Sequence, residues 1–362
     1  MNNADNQTYN DLLNQKTVQL KRLFSNVVIP EIAVFKSPEK HFRMRAEFRI
    51  WHTGDEINYV MFNKGEKYKP VNIFDFPNAS KLISDTMLPL LKSIQSNELL
   101  SKKLFQIDFL STTTNELLVT LLYHKSLDSD WETAASNLQK EFGFSVIGRA
   151  RKQKITLSRD YVIEQMNIDN CVYRYQQIEN SFTQPNAHIC QKMLSWAVEH
   201  TKNSNGDLLE LYCGNGNFTL PLSKNFEKVL ATEVSKTSVK SAQYNIALND
   251  IKNVNIIRLS SEEFTQALNK VREFRRLADL DLDTYSFNAI FVDPPRAGID
   301  DETLKLVSQF NTIIYISCNP NTLLDNINKL ENHYIEHFAL FDQFPYTDHI
   351  ECGVILKSKE SE

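Results

Sequence analysis

From Ala187 onward the chain alternates short apolar runs with helical stretches, and that rhythm restricts the folds open to it. Ile189, Met193, Trp196 and Ala197 recur at helical spacing. Apolar runs follow at residues 208–212, 229–231, 254–259, 289–292 and 313–316, with helical stretches such as 238–248 between them. Strands apolar on both sides and separated by helices argue for a parallel sheet covered on both faces. Two closing runs, 335–341 and 352–356, read as a hairpin on the edge of that sheet, and 357–362 as a frayed tail.

The first half has a different period. Phe42, Met44, Ala46, Phe48 and Ile50 alternate with Arg43, Arg45, Glu47 and Arg49, the pattern of a strand with one buried face over 42–51. Further strand-like runs lie at 57–62, 104–110, 117–123 and 155–157, with a helix over 131–142 between the last two. Ahead of them Leu13, Thr17, Leu20 and Phe24 share a helical face. This half reads as α+β with a mostly antiparallel sheet. Polar residues interrupt the pattern over 167–186, so the expected domains are 1–180 and 181–362.

The 362 residues, 42% hydrophobic and 23% charged, suffice for two ordinary cores. Five scattered cysteines do not form a disulfide framework, no apolar run reaches membrane-spanning length, and Met1 to Asn10 lacks a secretory layout. A cytoplasmic, reduced location is expected. A net charge of −5 argues against non-specific coating of nucleic acid but leaves room for a local basic face.

Glycine is scarce, nine in all, yet Gly214 and Gly216 fall together after a strand in Leu211-Tyr212-Cys213-Gly214-Asn215-Gly216-Asn217-Phe218. In a doubly wound sheet that position binds nucleotides. Thr219 stands where a dinucleotide fingerprint has its third glycine. Glu233, about 20 residues on, suits ribose hydroxyls. NAD and S-adenosylmethionine both fit this loop, and so does a tight turn with no ligand. Asp293-Pro294-Pro295-Arg296 ends the fourth strand, and its prolines hold the Asp293 carboxylate rigidly at the sheet edge. Arg296 replaces the aromatic that amine methyltransferases place after the two prolines, which disfavours amine methylation.

Cys318, in Ser317-Cys318-Asn319-Pro320, follows the fifth strand with polar flanks. A free thiol of pKa about 8.5 is only a few per cent thiolate at neutral pH, so a nucleophilic role calls for nearby donors or positive charge, and the helix start after Pro320 is expected to help. Glu351, two residues after His349, is a candidate general base, with His349 a positioning residue. A thiolate and a carboxylate beside a cofactor loop suit alkylation of a pyrimidine at carbon 5. The thiolate activates the ring by adding at carbon 6, and the carboxylate removes the surplus proton. The other readings are a buried structural cysteine and a solvated glutamate.

Together these motifs resemble the tRNA (uracil-5-)-methyltransferases. The resemblance runs end to end and includes the stretch from Phe42 to Arg49, Phe105-Gln106-Ile107-Asp108, Ser181-Phe182-Thr183-Gln184-Pro185-Asn186, and the run from Phe341 to Thr347. It implies a Rossmann-like class I S-adenosylmethionine-dependent methyltransferase domain with an N-terminal α+β RNA-binding domain. Cys318 is then the nucleophile and Glu351 the base. Gln184, Tyr212, Asn217, Glu233 and Asp293, with Gly214 and Gly216, would hold S-adenosyl-L-methionine. Asp348 stands where relatives often carry a second histidine. Sister enzymes acting on ribosomal RNA hold an iron–sulfur cluster with four cysteines, whereas no cysteine precedes Cys171 here. The expected partner is therefore the T-arm of tRNA, methylated at the T-loop uridine, with transfer-messenger RNA as a further substrate to weigh. A monomer without metal and without membrane contact is expected.

On the RNA side, Arg43, Arg45 and Arg49 would meet phosphates, with Phe105 and His124 offering stacking surfaces. Arg149, Arg151, Lys152, Lys154 and Arg159 form a second basic run. The competing readings are a cytosine carbon-5 RNA methyltransferase, separated by uridine against cytidine transcripts, and an RNA-binding or tRNA-folding factor with a vestigial cofactor site, separated by the activity left in Cys318→Ala. An NAD-dependent oxidoreductase is third, tested by which nucleotide raises thermal stability.

Overall fold

The computed structural model describes residues 8–359 apart from 64, 67 and 68. The chain forms two units. One comprises residues 1–37, 166–175 and 188–362, the other 38–165 and 176–187. The chain passes between them within a two-stranded hairpin, Tyr161–Ile168 with Cys171–Ile178.

The larger unit is built on an eight-stranded sheet. Its order is Ile32–Phe35, His333–Phe341, Glu351–Ser358, Thr312–Ser317, Phe287–Val292, Asp207–Leu211, Val229–Thr232, Val254–Ile257. The strand Glu351–Ser358 is antiparallel to both neighbours, while the other pairings are parallel. Every residue of Asp207–Leu211 and Thr312–Ser317 is buried, as a sheet covered on both faces requires. The closing hairpin forms as expected but is not the edge. Ile32–Phe35 pairs with His333–Phe341 and stacks Phe35 on Phe341, ring centroids 4.9 Å apart. Lys357 and Ser358 belong to the last strand, so the tail expected at 357–362 is ordered there, and 360–362 lie outside the described residues.

The same geometry moves residues 1–37 out of the N-terminal domain expected at 1–180. Helix Tyr9–Leu23 starts in a capping box between Thr8 and Asp11, and it buries Tyr9, Leu13, Lys16 and Leu20. Lys16 breaks the apolar stripe for a specific reason. Its ammonium donates to Asp342 Oδ1 at 2.8 Å and to the Phe344 carbonyl at 2.8 Å, and both side chains are nearly sealed from water. The Ser37 N–H donates to Tyr9 Oη at 2.8 Å in the same network. These contacts tie the helix to the segment that leads into Glu351.

The smaller unit carries a seven-stranded sheet, in the order Pro70–Asn72, Glu56–Phe62, Arg45–Thr53, Leu104–Ser111, Leu117–Tyr123, Ser145–Ala150, Gln153–Thr156. It is antiparallel except where Leu117–Tyr123 meets Ser145–Ala150 across the crossover helix Ser129–Phe142. Gly148 lets that helix close on the sheet, because a Cβ there would lie 2.2 Å from the Trp131 ring. Helix Lys81–Gln95, which tolerates Pro89, buries Ile83, Met87, Leu90 and Ile94. They meet the apolar face of Arg45–Thr53, where Ala46, Phe48 and Ile50 point inward as the alternation predicts. That strand starts at Arg45 rather than 42, since Arg43 bridges singly to Ala79 and to Asn186.

Removing one partner of a buried ion pair strands the other charge, at a cost of about 3–5 kcal/mol. Lys16→Met is expected to lower the urea unfolding free energy by about that amount, and Lys16→Met with Asp342→Leu to recover most of it. Equal stability of Lys16→Met and the wild type would remove the pair from this account.

Candidate active site

The site grows from the carboxyl ends of four strands in the larger unit. After Leu211 the backbone turns through Tyr212 at φ 62°, a left-handed conformation rarely held by an aromatic residue. Its hydroxyl bonds to Ser261 Oγ at 2.9 Å. Gly214 and Gly216 continue at φ 57° and 83°. Beyond its chain neighbours, no heavy atom lies within 4 Å of where a Gly214 Cβ would stand, so that side of the loop is open, whereas a Gly216 Cβ would meet Leu220 at 2.8 Å. Glu233 follows its strand and fixes the turn, accepting from the Gly214 N–H at 3.0 Å and the Ser235 N–H at 2.7 Å. Asn217 donates to Cys190 Sγ at 3.4 Å, and its carbonyl accepts from the Tyr175 hydroxyl at 3.1 Å. The helix after the loop is a single turn, Thr219–Leu222.

Asp293 leaves the strand Phe287–Val292 and enters a loop pinned to the helix Pro320–Lys329. The Gly298 N–H closes a turn on the Pro295 carbonyl at 2.8 Å. Asn319 Nδ2 donates to the Arg296 carbonyl at 3.0 Å. Asn326 exchanges bonds with the Ile299 N–H and carbonyl, 3.1 Å each, and accepts from the Tyr315 hydroxyl at 2.8 Å. The Asp293 loop and the turn holding Cys318 are thereby cross-linked by neutral hydrogen bonds.

Strand register joins the remaining pieces. Ser317 pairs with Cys352, and Ile316 with Gly353; Cys318 is the next residue past that ladder and Glu351 the residue before Cys352, and the Glu351 charge acts on the Cys318 thiol. Gly353 permits this packing, since a Cβ there would stand 2.8 Å from Trp196 and 2.9 Å from Phe341. Cys318 is half-buried and Glu351, the first residue of its strand, is buried.

The electrostatics differ from the sequence expectation. Burial pushes the Cys318 thiol upward, and the Glu351 and Asp293 charges add to the shift, while its own backbone N–H and Arg296 oppose it. The expected lowering by the helix start after Pro320 is outweighed by desolvation and two neighbouring carboxylates. Burial, then Asp293, pushes Glu351 well above the usual carboxylate range, and burial raises Asp293 as well. Glu210, on the strand Asp207–Leu211, is pushed up to about 8 by burial and then by the Asp293 charge. The Thr219 side chain opposes that rise from the start of the next helix turn. Glu210 was not a candidate from the sequence, where it reads as one polar residue in an apolar run.

Cys318 opens into a cleft of about 500 Å³. Arg296, Asn319, Asp348 and His349 line it, and so does the end of the helix Tyr9–Leu23. Glu351 and Asp293 are not among its lining residues. His349 is exposed, its ring 5.6 Å from Phe344.

The remaining candidates lie in the smaller unit. Gln184 sits in segment 176–187, where the Pro185 carbonyl accepts from the Met44 N–H at 2.8 Å. Arg49 stands 3.9 Å over the Phe105 ring, and Phe105 meets His124 at 4.1 Å. An irregularity between Leu104 and Gln106 re-aims Phe105 toward this stack. Arg43 turns its Nε onto the Arg45 carbonyl at 3.0 Å. Arg45 is half-buried, and Glu47, Asp108 and Glu179 surround it, so the three arginines are not one bare cationic face. In the second basic run Arg149 and Lys154 pair with Glu179, and Arg159 pairs with Glu116.

Among the described residues no group of three or more His, Cys, Asp or Glu could hold a metal ion, and no helix is long and apolar enough to cross a membrane.

The model of the family described as tRNA (Uracil-5-)-methyltransferase matches residues 8–359. The chain is 54% identical over 352 residues to the tRNA/tmRNA (uracil-C(5))-methyltransferase of Cellvibrio japonicus, covering 97% of this chain and 96% of that one. It is 55% identical over 358 residues to the Saccharophagus degradans protein of the same name, covering 98% of both. In fold it is similar to the crystal structure of Pyrococcus abyssi tRNA (uracil-54, C5)-methyltransferase in complex with S-adenosyl-L-homocysteine, with TM-score 0.73, 22% identity, and coverage of 96% of this chain and 83% of that one.

The raised carboxyls predict how stability responds to pH. Glu210 binds its proton more tightly folded than unfolded, so its contribution is complete below about pH 4.5 and is lost as pH rises toward 8. Urea midpoints of the wild type are expected to fall between these limits more steeply than those of Glu210→Gln. Parallel pH profiles would contradict the assignment.

Proposed function

The chain belongs to the tRNA (uracil-5-)-methyltransferase family, and we propose that it methylates carbon 5 of the T-loop uridine through a covalent bond between Cys318 Sγ and carbon 6 of the ring. One observation supports this reading above the others: Ser317 pairs with Cys352, so Cys318 and the buried Glu351 are the next residues beyond that pair on neighbouring strands, and the Glu351 charge acts on the thiol. The names of the relatives at 54–55% identity support tRNA and transfer-messenger RNA as substrates.

The loop at 212–217 fits S-adenosylmethionine. Gly214 leaves open space beside the backbone, and Glu233 keeps lone pairs for ribose hydroxyls beyond the two N–H bonds it accepts. Tyr212, Asn217 and Asp293 would complete the site, with Gln184 assigned by the family resemblance. The bound group supplies an electrophilic methyl.

The chain's own residues do the rest. The Cys318 thiolate adds to carbon 6, and the displaced electron pair makes carbon 5 nucleophilic. Once alkylated, carbon 5 carries both the methyl and a proton. Glu351 takes that proton, the carbon 5–carbon 6 double bond re-forms, and the sulfur leaves as thiolate. A carboxyl whose proton affinity is raised by burial is the stronger base for this task. The Glu351 and Asp293 charges both oppose the thiolate, so a proton held on either favours it. Arg296 favours the same anion.

For RNA, the stack of Arg49, Phe105 and His124 suits unpaired bases of a loop. To react, the uridine must leave its stack and enter the cleft at Cys318. Five free thiols suit a cytoplasmic location, and a monomer completes the reading.

T-arm RNA carrying 5-fluorouridine tests the chemistry. Fluorine cannot be taken as a proton, so with S-adenosylmethionine the protein is expected to accumulate a denaturation-resistant adduct at Cys318. Cys318→Ser is expected to form none. Turnover of ordinary RNA by Cys318→Ser would contradict the proposal.

A further inference from the structure

The cleft that exposes Cys318 has a wall that neither the family motifs nor the chemistry of methyl transfer accounts for. Gln19, Arg22, Ser25 and Asn26, from the last turn of the helix Tyr9–Leu23 and the residues just beyond it, line the same 500 Å³ cleft as Cys318 and Arg296. Resting on the reading given under Proposed function, we propose that Arg22, with Gln19 beside it, grips the phosphodiester backbone of the RNA strand next to the nucleotide that enters this cleft.

Three observations carry the assignment. First, Arg22 is exposed and makes no ion pair among the described residues, unlike Arg149 and Arg159. Its fork of donors is therefore free to meet an anion. Second, the wall is rigid. Lys16, six residues earlier, is locked to Asp342 and the Phe344 carbonyl, and Leu20 and Phe24 are fully buried. An arginine on a fixed helix loses less freedom on binding than one on a loop. Third, the cleft presents Arg22 and Arg296 with the neutral amides Gln19, Asn26 and Asn319, against one carboxylate, Asp348. That donor-rich lining suits phosphate and ribose rather than an apolar ligand.

A purely structural role has a different signature. Lys21 and Arg22 both lie in the last helical turn, where cations offset the helix dipole. In that role the two are equivalent, because each contributes only its charge to the helix end. Lys21 does not line the cleft, so it is the matched control.

The test measures the dissociation constant of T-arm RNA by fluorescence anisotropy across a potassium chloride series, for the wild type, Arg22→Gln and Lys21→Gln. Loss of one phosphate contact is expected to weaken binding by Arg22→Gln about 5–10-fold at low salt, and to flatten the log–log salt slope by about 0.7–0.9. Lys21→Gln is expected to track the wild type in both. Overlapping slopes for Arg22→Gln and Lys21→Gln, or a change confined to their melting temperatures, would overturn the proposal. The fluorouridine adduct keeps the two claims separate. An adduct at Cys318 with no slope change rejects only the Arg22 contact, and no adduct in the wild type rejects the reading beneath it.

Discussion

The pairing of Ser317 with Cys352 is the contact on which the rest of this site depends. An antiparallel strand inserted between parallel ones lets its first residue meet the residue just past the end of its neighbour. That first residue is Glu351, and the neighbour's next residue is Cys318. Because side chains alternate, a slip of one position would send Glu351 to the opposite face. Gly353 guards the register, since any side chain there would strike Trp196 and Phe341. The Asn319 and Asn326 bonds then hold the Asp293 loop against the same turn.

A second consequence is electrostatic. Burial raises Glu210, Asp293 and Glu351, and the Asp293 charge adds to the rise at the other two. Such a cluster favours protonated acids and opposes a resting thiolate. Burial and the Glu351 and Asp293 charges hold the thiol's proton, and Arg296 at the same cleft opposes them. The cluster also destabilises the fold toward alkaline pH, a cost that reactive sites commonly carry.

Much of this was legible in the sequence, and the remainder has identifiable physical causes. The alternation after Ala187 located the strands, and the turn residues around Gly214, Asp293 and Cys318 located the loops at their ends. Period alone shows which face is buried, not what covers it. Ile32–Phe35 was therefore missed as the true edge strand, and residues 1–37 were assigned to the wrong unit. Lys16 read as an ordinary charged residue because its partner, Asp342, is 326 positions away. Arg45 looked like a free cation for the same reason, since Asp108 and Glu179 reach it from other segments. The sign of the Cys318 shift depended on burial, which local sequence does not encode.

The most direct test of the central claim uses Glu351→Gln with ordinary T-arm RNA and S-adenosylmethionine labelled in its methyl group. Without a base the reaction should stop after alkylation, so the account predicts a denaturation-resistant complex that carries the label and maps to a peptide containing Cys318. Release of labelled, methylated RNA at the wild-type rate, or a covalent link at another residue, would contradict it.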